Sequence, residues 1–176
     1  MAAGIRLATE GDIPAVTAIY NQAITLGNAT AHTQAVSTAE RQSWLADHNP
    51  DTDPVFVAES ANMVTGYCSL SAYRPGRAAL RHTKEISYFV DEGHRRQGVG
   101  SGLIQHALQE CPARDIRTLF AILLDNNPAS AALLEKFGFE RWGHMPAVAD
   151  FNGTEIGHSY YGLKVAAPKE TEARHR

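Results

Sequence analysis

A glycine-rich segment between a strand-like and a helix-like pattern constrains the fold of this chain most strongly. Apolar side chains alternate along residues 86–90, and after the segment they recur at helical spacing at Val99, Leu103, Ile104, Ala107 and Leu108. Glycines let backbone N–H groups approach a ligand, and a helix N-terminus favours negative charge. Because the adjacent Arg95 and Arg96 add bidentate phosphate donors, the segment predicts a pyrophosphate-binding turn at the start of a helix.

The spacing of the glycines excludes two common nucleotide loops. Gly93 and Gly98 have the spacing of a Walker loop, but Val99 stands where that loop requires lysine. A dinucleotide-binding loop requires a third glycine where this chain has Leu103. The order Arg95-x-x-Gly98-x-Gly100 instead resembles the acetyl-CoA loop of the GNAT superfamily of N-acetyltransferases. That resemblance implies that acetyl-CoA is the co-substrate and that it contacts Arg95, Arg96, Gln97, Gly98, Val99, Gly100 and Ser101.

A second block, residues 127–139, supports the same family. Asn127 suits a helix N-cap, Pro128 suits the first turn, and Gly138 suits the position past the helix end. The block resembles the later superfamily motif Asn-x-x-Ser, a short helix, then Gly-Phe. The resemblance implies that Asn127 and Ser130 contact acetyl-CoA, a role that is compatible with capping.

The remaining patterns predict one α/β domain over residues 1–165. They indicate a mixed, mostly antiparallel sheet flanked by helices, which fits the GNAT fold, where splayed strands hold the acyl-CoA. Residues 166–176 are polar and charged, so we expect a disordered tail. The predicted strands are 5–7, 55–59, 66–73, 84–90, 117–124, 141–148 and 158–165, and the predicted helices are 12–26 capped by Asp12, 37–47, one from Gly98 and one from Pro128.

Composition excludes several classes of function. A net charge of −3 argues against a nucleic-acid-binding surface, and no apolar run approaches membrane-spanning length. Cys68 and Cys111 form no Cys-x-x-Cys pair, and the histidines lack metal-ligand spacing. We therefore expect no metal, no nucleic-acid partner, no membrane association and a cytoplasmic location.

Glu85 is the candidate general base. It shares one strand face with Ser87 and Phe89, and a glutamate inside an apolar strand is costly unless it is paired or solvated. Pairing with a nearby arginine, exposure to water and catalysis are all open from the residues alone. The segment 84–90 resembles the corresponding strand of phosphinothricin acetyltransferases and related N-acetyltransferases of amino-acid analogues. The resemblance implies that Glu85 is the base, that the Val90 N–H polarises the thioester carbonyl, and that the pantetheine arm pairs with Tyr88, Phe89 and Val90.

The loop before this strand is the candidate substrate rim. Residues 74–84 carry three arginines, a lysine and a histidine without an acidic residue. The excess is typical of a solvated basic loop or of a rim that recognises a carboxylate, phosphinate or sulfone. The subfamily resemblance, which covers residues 4–165, favours the rim, with contacts from Tyr73, Arg74 and His82. The exit of the first helix, residues 28–32, is expected to line the opposite wall.

The predicted function is acetyl transfer from acetyl-CoA to the amine of a small amino acid or amino-acid analogue, of the phosphinothricin or methionine sulfone/sulfoximine type, by direct transfer in a ternary complex. A non-catalytic acyl-CoA sensor and an acetyltransferase of peptide or protein N-termini are the alternatives. The family implies a homodimer. Leu134 departs from the pattern, because relatives carry tyrosine or histidine there as the acid for the leaving thiolate.

Overall fold

The computed structural model describes residues 4–165, so the expected tail at 166–176 lies outside the described residues. Strands and helices alternate much as predicted. The strands are β1 (Gly4–Leu7), β2 (Val55–Ser60), β3 (Met63–Ala72), β4 (Thr83–Val90), β5 (Thr118–Leu124), β6 (Glu140–Phe151) and β7 (Thr154–Lys164). The helices are α1 (Ile13–Leu26), α2 (Thr38–Ala46), α3 (Val99–Glu110) and α4 (Pro128–Lys136). Within 4–165, no helix combines the length and apolar character needed to cross a membrane.

The seven strands form one sheet in the order β1-β2-β3-β4-β5-β7-β6. Every neighbouring pair is antiparallel except β4 and β5, which are parallel. That parallel pairing covers only Thr83–Glu85 against Thr118–Phe120. The mixed, mostly antiparallel sheet predicted from the sequence is confirmed, and it opens between β4 and β5 beyond Glu85.

Successive strand side chains point to opposite sides of the sheet, so apolar residues lie on both faces. Helices pack against each face. One face packs Phe56, Leu70 and Ile86 against Leu103 and Ile104 of α3. The other face packs residues such as Val57 and Tyr67 against α1 and α2. The two cores hold the open edge of β4 between α1 and α2 on one side and α3 on the other.

Two local predictions need correction. The side chain of Asp12 does not cap α1; it accepts hydrogen bonds from the Thr9 N–H (2.8 Å) and hydroxyl (2.9 Å) and pairs with Arg6 (2.8 Å). The closing strands also extend further towards each other than predicted. They meet at Asn152 (φ 54°) and Gly153 (φ 89°), a turn in which both residues adopt the left-handed conformation that Asn-Gly favours.

Candidate active site

A cavity of about 300 Å³ lies where β4 and β5 separate. Glu85, Ser87 and Phe89 of β4 form part of its wall, as the alternation along this strand predicts. The loop after α1 contributes the opposite wall through residues 29–31, within the predicted segment. The other lining residues are Tyr20, Arg41, Trp44, Tyr67, Ser69, Ser71, Ile122, Leu124 and His158.

The Glu85 carboxylate is half-buried in this cavity, and its side chain makes no hydrogen bond or ion pair within residues 4–165. Burial raises the pKa of this carboxyl above its ordinary value, because desolvation disfavours the charged form. A carboxylate without a partner and with a raised pKa is a stronger base than an ordinary carboxylate, which suits it to accept a proton. The pairing with an arginine that the sequence left open is not observed in the described part of the chain.

The open edge of β4 presents backbone groups to the gap. The Asp91 N–H donates to the Thr65 carbonyl (3.0 Å) and the Thr83 carbonyl accepts from the Tyr73 N–H (3.3 Å), so these odd-numbered residues point their backbone groups toward β3. Because backbone groups alternate along a strand, the N–H groups of Tyr88 and Val90 point the other way, toward the gap. An extended ligand lying there would meet unpaired strand donors.

The glycine-rich loop leads into α3 with free donors. Arg96 (φ 59°) and Gly98 (φ 85°) adopt the left-handed conformation, and Gly98 is the residue before the helix. The Gly102 N–H donates to the Gly98 carbonyl (2.9 Å) at the start of the helix. The N–H groups of residues 99–101 therefore have no acceptor within the helix. Arg95 and Arg96 are exposed, and neither forms an ion pair within residues 4–165. The exposed Gln97 donates to the Gly93 carbonyl (2.9 Å).

Two glycines set this loop close to the sheet. A Cβ on Gly66 of β3 would lie 2.9 Å from both the Phe89 carbonyl oxygen and Val99 Cγ1. A Cβ on Gly100 would lie 3.2 Å from Leu133 of α4. The N-terminus of α3 therefore packs against β3, β4 and α4 at distances that only glycine permits without a shift.

Asn127 caps α4 as predicted, since its side chain accepts a hydrogen bond from the Ser130 N–H (3.2 Å). The Tyr88 hydroxyl reaches the Ser130 carbonyl (3.4 Å), which joins β4 to this helix. Burial raises the pKa of Tyr88 to about 12. Leu134 is fully buried in the apolar core, so this residue has a packing role.

The predicted substrate residues lie outside the cavity. Tyr73 packs edge-on against Phe120 (centroids 4.8 Å apart), and Arg74 is exposed on the loop after β3. His82 Nδ1 lies 2.8 Å from the Asp115 carbonyl oxygen, on the far end of β4. Lys84 points to the opposite face from Glu85, where its ammonium pairs with Asp53 (2.5 Å). None of residues 73–84 lines the cavity.

Arg41, which the sequence analysis missed, is the cation of the cavity. It is only 7% exposed, and its Nη2 donates to the Tyr67 hydroxyl (3.0 Å). Its guanidinium lies 3.7 Å from the ring centre of Trp44 and 4.4 Å from that of Tyr20. The predicted capping box at Ser37 would have placed Arg41 and Trp44 one turn apart on a shared helix face, which was the available signal.

The comparison with known families is decisive for the class of protein. The model of the acetyltransferase (GNAT) family matches residues 18–139, which contain the cavity walls from α1 to β5, the glycine-rich loop and α4. The chain belongs to this family. In the described part of the chain, no group of three or more His, Cys, Asp or Glu side chains is arranged to hold a metal ion.

Relatives and solved structures match over almost the whole chain. The protein YwnH of Bacillus subtilis is 38% identical over 162 residues, covering 92% of this chain and 95% of its own. The L-methionine sulfoximine/L-methionine sulfone acetyltransferase of Pseudomonas aeruginosa is 36% identical over 168 residues, 94% of this chain and 96% of its own.

Two solved structures have nearly the same fold as this chain. A phosphinothricin acetyltransferase from Sinorhizobium meliloti in complex with acetyl-CoA has a TM-score of 0.88 at 28% identity, covering 97% of this chain and 95% of its own. A ribosomal-protein-alanine N-acetyltransferase from Brucella melitensis has a TM-score of 0.87 at 34% identity, covering 92% and 99%.

Proposed function

We propose that this GNAT protein is an acetyl-CoA-dependent N-acetyltransferase of small amino acids or amino-acid analogues, with phosphinothricin and methionine sulfone or sulfoximine as the model acceptors. The observation that carries the proposal is the Glu85 carboxylate, which has no partner in the described part of the chain, in a cavity of about 300 Å³ beside the gap between β4 and β5. Relatives named for these amino-acid analogues support the acceptor class.

The glycine-rich loop fits the pyrophosphate of acetyl-CoA. The exposed guanidinium groups of Arg95 and Arg96 and the free N–H groups at the start of α3 supply donors for an anion. Gln97, Gly98, Val99, Gly100 and Ser101 complete this turn, and Asn127 and Ser130 lie at the start of α4, the helix that approaches Gly100 through Leu133. The β4 edge at Tyr88, Phe89 and Val90 is suited to pair with the pantetheine arm. When bound, acetyl-CoA supplies the acetyl group as a thioester.

The residues of the chain then have complementary tasks in direct transfer within a ternary complex. Glu85 accepts the proton that an ammonium group must lose before its nitrogen can attack a carbonyl carbon. The Val90 N–H, which points into the gap, is placed to hydrogen-bond to the carbonyl oxygen as negative charge develops on it. The cavity walls orient the acceptor and hold its amine beside Glu85.

The similarity to the ribosomal-protein-alanine N-acetyltransferase supports a second candidate, acetylation of a protein N-terminus. A peptide acceptor presents the same primary amine but carries further residues that must leave the cavity. The small volume of the cavity favours a free amino acid over a peptide.

Thiol release from acetyl-CoA, measured across a panel of amines, tests the proposal. The panel contains phosphinothricin, methionine sulfone, methionine sulfoximine, ordinary amino acids, spermidine and an alanine-first peptide. We expect release with the amino-acid analogues. Release with the peptide alone would establish the second candidate, and acetyl-CoA binding without release from any amine would indicate a sensor.

We also propose a single domain over residues 1–165 that acts as a cytoplasmic homodimer. The edge strand β6 exposes Trp142, Met145 and Val148, each 46% exposed or more, which supports a protein contact at that end of the sheet. Cys68 and Cys111 are buried and unpaired, as is usual in a reducing compartment. Sedimentation analysis of wild type and Trp142→Glu tests the dimer, which the substitution should dissociate.

A further inference from the structure

We propose that Arg41 is the residue that binds the anionic group of the acceptor, a carboxylate or a phosphinate. The inference rests on the proposed function and assigns the part of the cavity that recognises the acceptor's negative charge. It also replaces Arg74, the arginine favoured by the sequence, with one that lines the cavity.

The first argument is that Arg41 is buried without a counter-charge. Its side chain is 7% exposed, and no carboxylate lies within 4.0 Å of it in residues 4–165. A buried guanidinium normally has a carboxylate partner, because burying an unpaired charge costs several kcal/mol. An anionic acceptor would supply the missing partner.

The second argument is the supply of unused donors. A guanidinium carries five N–H groups, yet the described residues provide one acceptor for Arg41, the Tyr67 hydroxyl at 3.0 Å. The buried Nε has no hydrogen-bond partner among residues 4–165. Because the Tyr67 oxygen accepts from Arg41, its own hydrogen remains available to donate to the same anion.

The third argument is that the guanidinium is held in place before the acceptor binds. Trp44 stacks on Arg41 at 3.7 Å, and Tyr20 lies 4.4 Å away from it. Contact with two aromatic rings restricts the guanidinium, and a guanidinium can bind an oxyanion through two parallel N–H groups. Little side-chain entropy is then lost on binding.

The charges of the cavity complete the argument. Arg41 and Glu85 are the charged lining residues in the described part of the chain, and they are not paired with each other. An acceptor that carries both an ammonium and an oxyanion matches this arrangement, with its amine at Glu85 and its anion at Arg41. A polyamine has no anionic group, so it matches Glu85 but not Arg41.

Acceptor discrimination tests the assignment. Three acceptors are compared: methionine sulfone, its uncharged α-amide, and 3-aminopropyl(methyl)phosphinate, which has a phosphinate but no carboxylate. The readout is the ratio of kcat/KM for each anionic acceptor to that for the amide. Since both values come from the same preparation, the ratio does not depend on how much of a variant is folded.

We expect Arg41→Gln to lower this ratio by about 10- to 100-fold, the effect of losing a charge-assisted hydrogen bond. The anion whose ratio falls, carboxylate or phosphinate, identifies the group that Arg41 binds. Arg117→Gln is the matched control, because Arg117 is exposed and pairs with Asp115 away from the cavity, and its ratio should stay at the wild-type value. An unchanged ratio in Arg41→Gln, or a collapse in Arg74→Ala instead, would overturn the assignment while the proposed function stood.

A binding measurement keeps the assignment testable if no acceptor is acetylated. The chain has two tryptophans, so Trp142→Phe leaves Trp44, which stacks on Arg41, as the sole fluorescent indole. We expect a saturable change in Trp44 fluorescence with methionine sulfone and no change with its amide. Adding Arg41→Gln should abolish the change seen with methionine sulfone. Such a result would support the anion site although the acetyltransferase proposal had failed. Equal changes with acid and amide, or no change, would refute the anion site.

Discussion

Replacing Gly66 by alanine should destabilise the protein and weaken the binding of acetyl-CoA at the glycine-rich loop. The new Cβ would lie 2.9 Å from the Phe89 carbonyl oxygen, 2.9 Å from Val99 Cγ1 and 3.3 Å from Leu103 Cδ1. The Phe89 oxygen belongs to the backbone of β4, so that contact is relieved only by a shift within the sheet, whereas the contacts with Val99 and Leu103 are relieved by moving α3 away from β3. Overpacking of this kind costs about 1–3 kcal/mol. In a chain of 176 residues, this cost corresponds to a fall in Tm of about 3–8 °C.

Thermal unfolding of Gly66→Ala beside Gly143→Ala measures this effect. Gly143 is also a strand glycine, but a Cβ placed there meets nothing within 4 Å, so its substitution should leave Tm nearly unchanged. Because Val99 begins α3, the shift should also raise KM for acetyl-CoA. Equal Tm values for the two variants would refute the claim that close packing at Gly66 positions the loop.

Three further predictions follow from charges in the structure. Glu85→Gln should raise Tm at pH 7.5, where ionised Glu85 carries a desolvation cost in the folded protein. It should have no effect below about pH 4, where the carboxyl is neutral in the folded and the unfolded protein. A lower Tm at pH 7.5 would contradict this. Asp12→Asn should cost about 1 kcal/mol at pH 7 in urea unfolding. Hydrogen bonds from Arg6 lower the pKa of Asp12 to about 2, so this difference should shrink as pH falls from 4 toward 2. Arg95→Ala combined with Arg96→Ala should raise KM for acetyl-CoA about tenfold or more but not KM for S-acetylpantetheine, which lacks the phosphates; equal increases would argue against a pyrophosphate site.

Local signals predicted the frame of the site well. The capping box of Ser37 and Glu40 is present, with the Ser37 N–H donating to the Glu40 carboxylate at 2.7 Å. Asn127 caps α4, and Gly98 directly precedes α3. Each of these features depends on a few consecutive residues, so the sequence was sufficient to place them. The Asn152-Gly153 turn was an equally local signal, and reading it would have corrected the length of the closing strands.

The acceptor cavity depended on contacts that the sequence does not display. Arg41 bonds to Tyr67, 26 residues further along the chain, and its one-turn spacing from Trp44 indicates a shared helix face but not that this face lines a cavity. Conversely, the local excess of basic residues after Tyr73 is visible in the sequence, but the sequence does not tell which way each side chain points. His82 and Lys84 found acidic or carbonyl partners elsewhere, at Asp115 and Asp53.

The central claim is that Glu85 accepts the proton of the acceptor amine, and the turnover of Glu85→Gln tests it most directly. Thiol release with methionine sulfone at saturating acetyl-CoA is compared with wild type, while acetyl-CoA binding is measured on the same samples. The account predicts a fall in kcat of about 10²- to 10⁴-fold, the usual contribution of a general base, with acetyl-CoA still bound. Undiminished turnover in Glu85→Gln would contradict it.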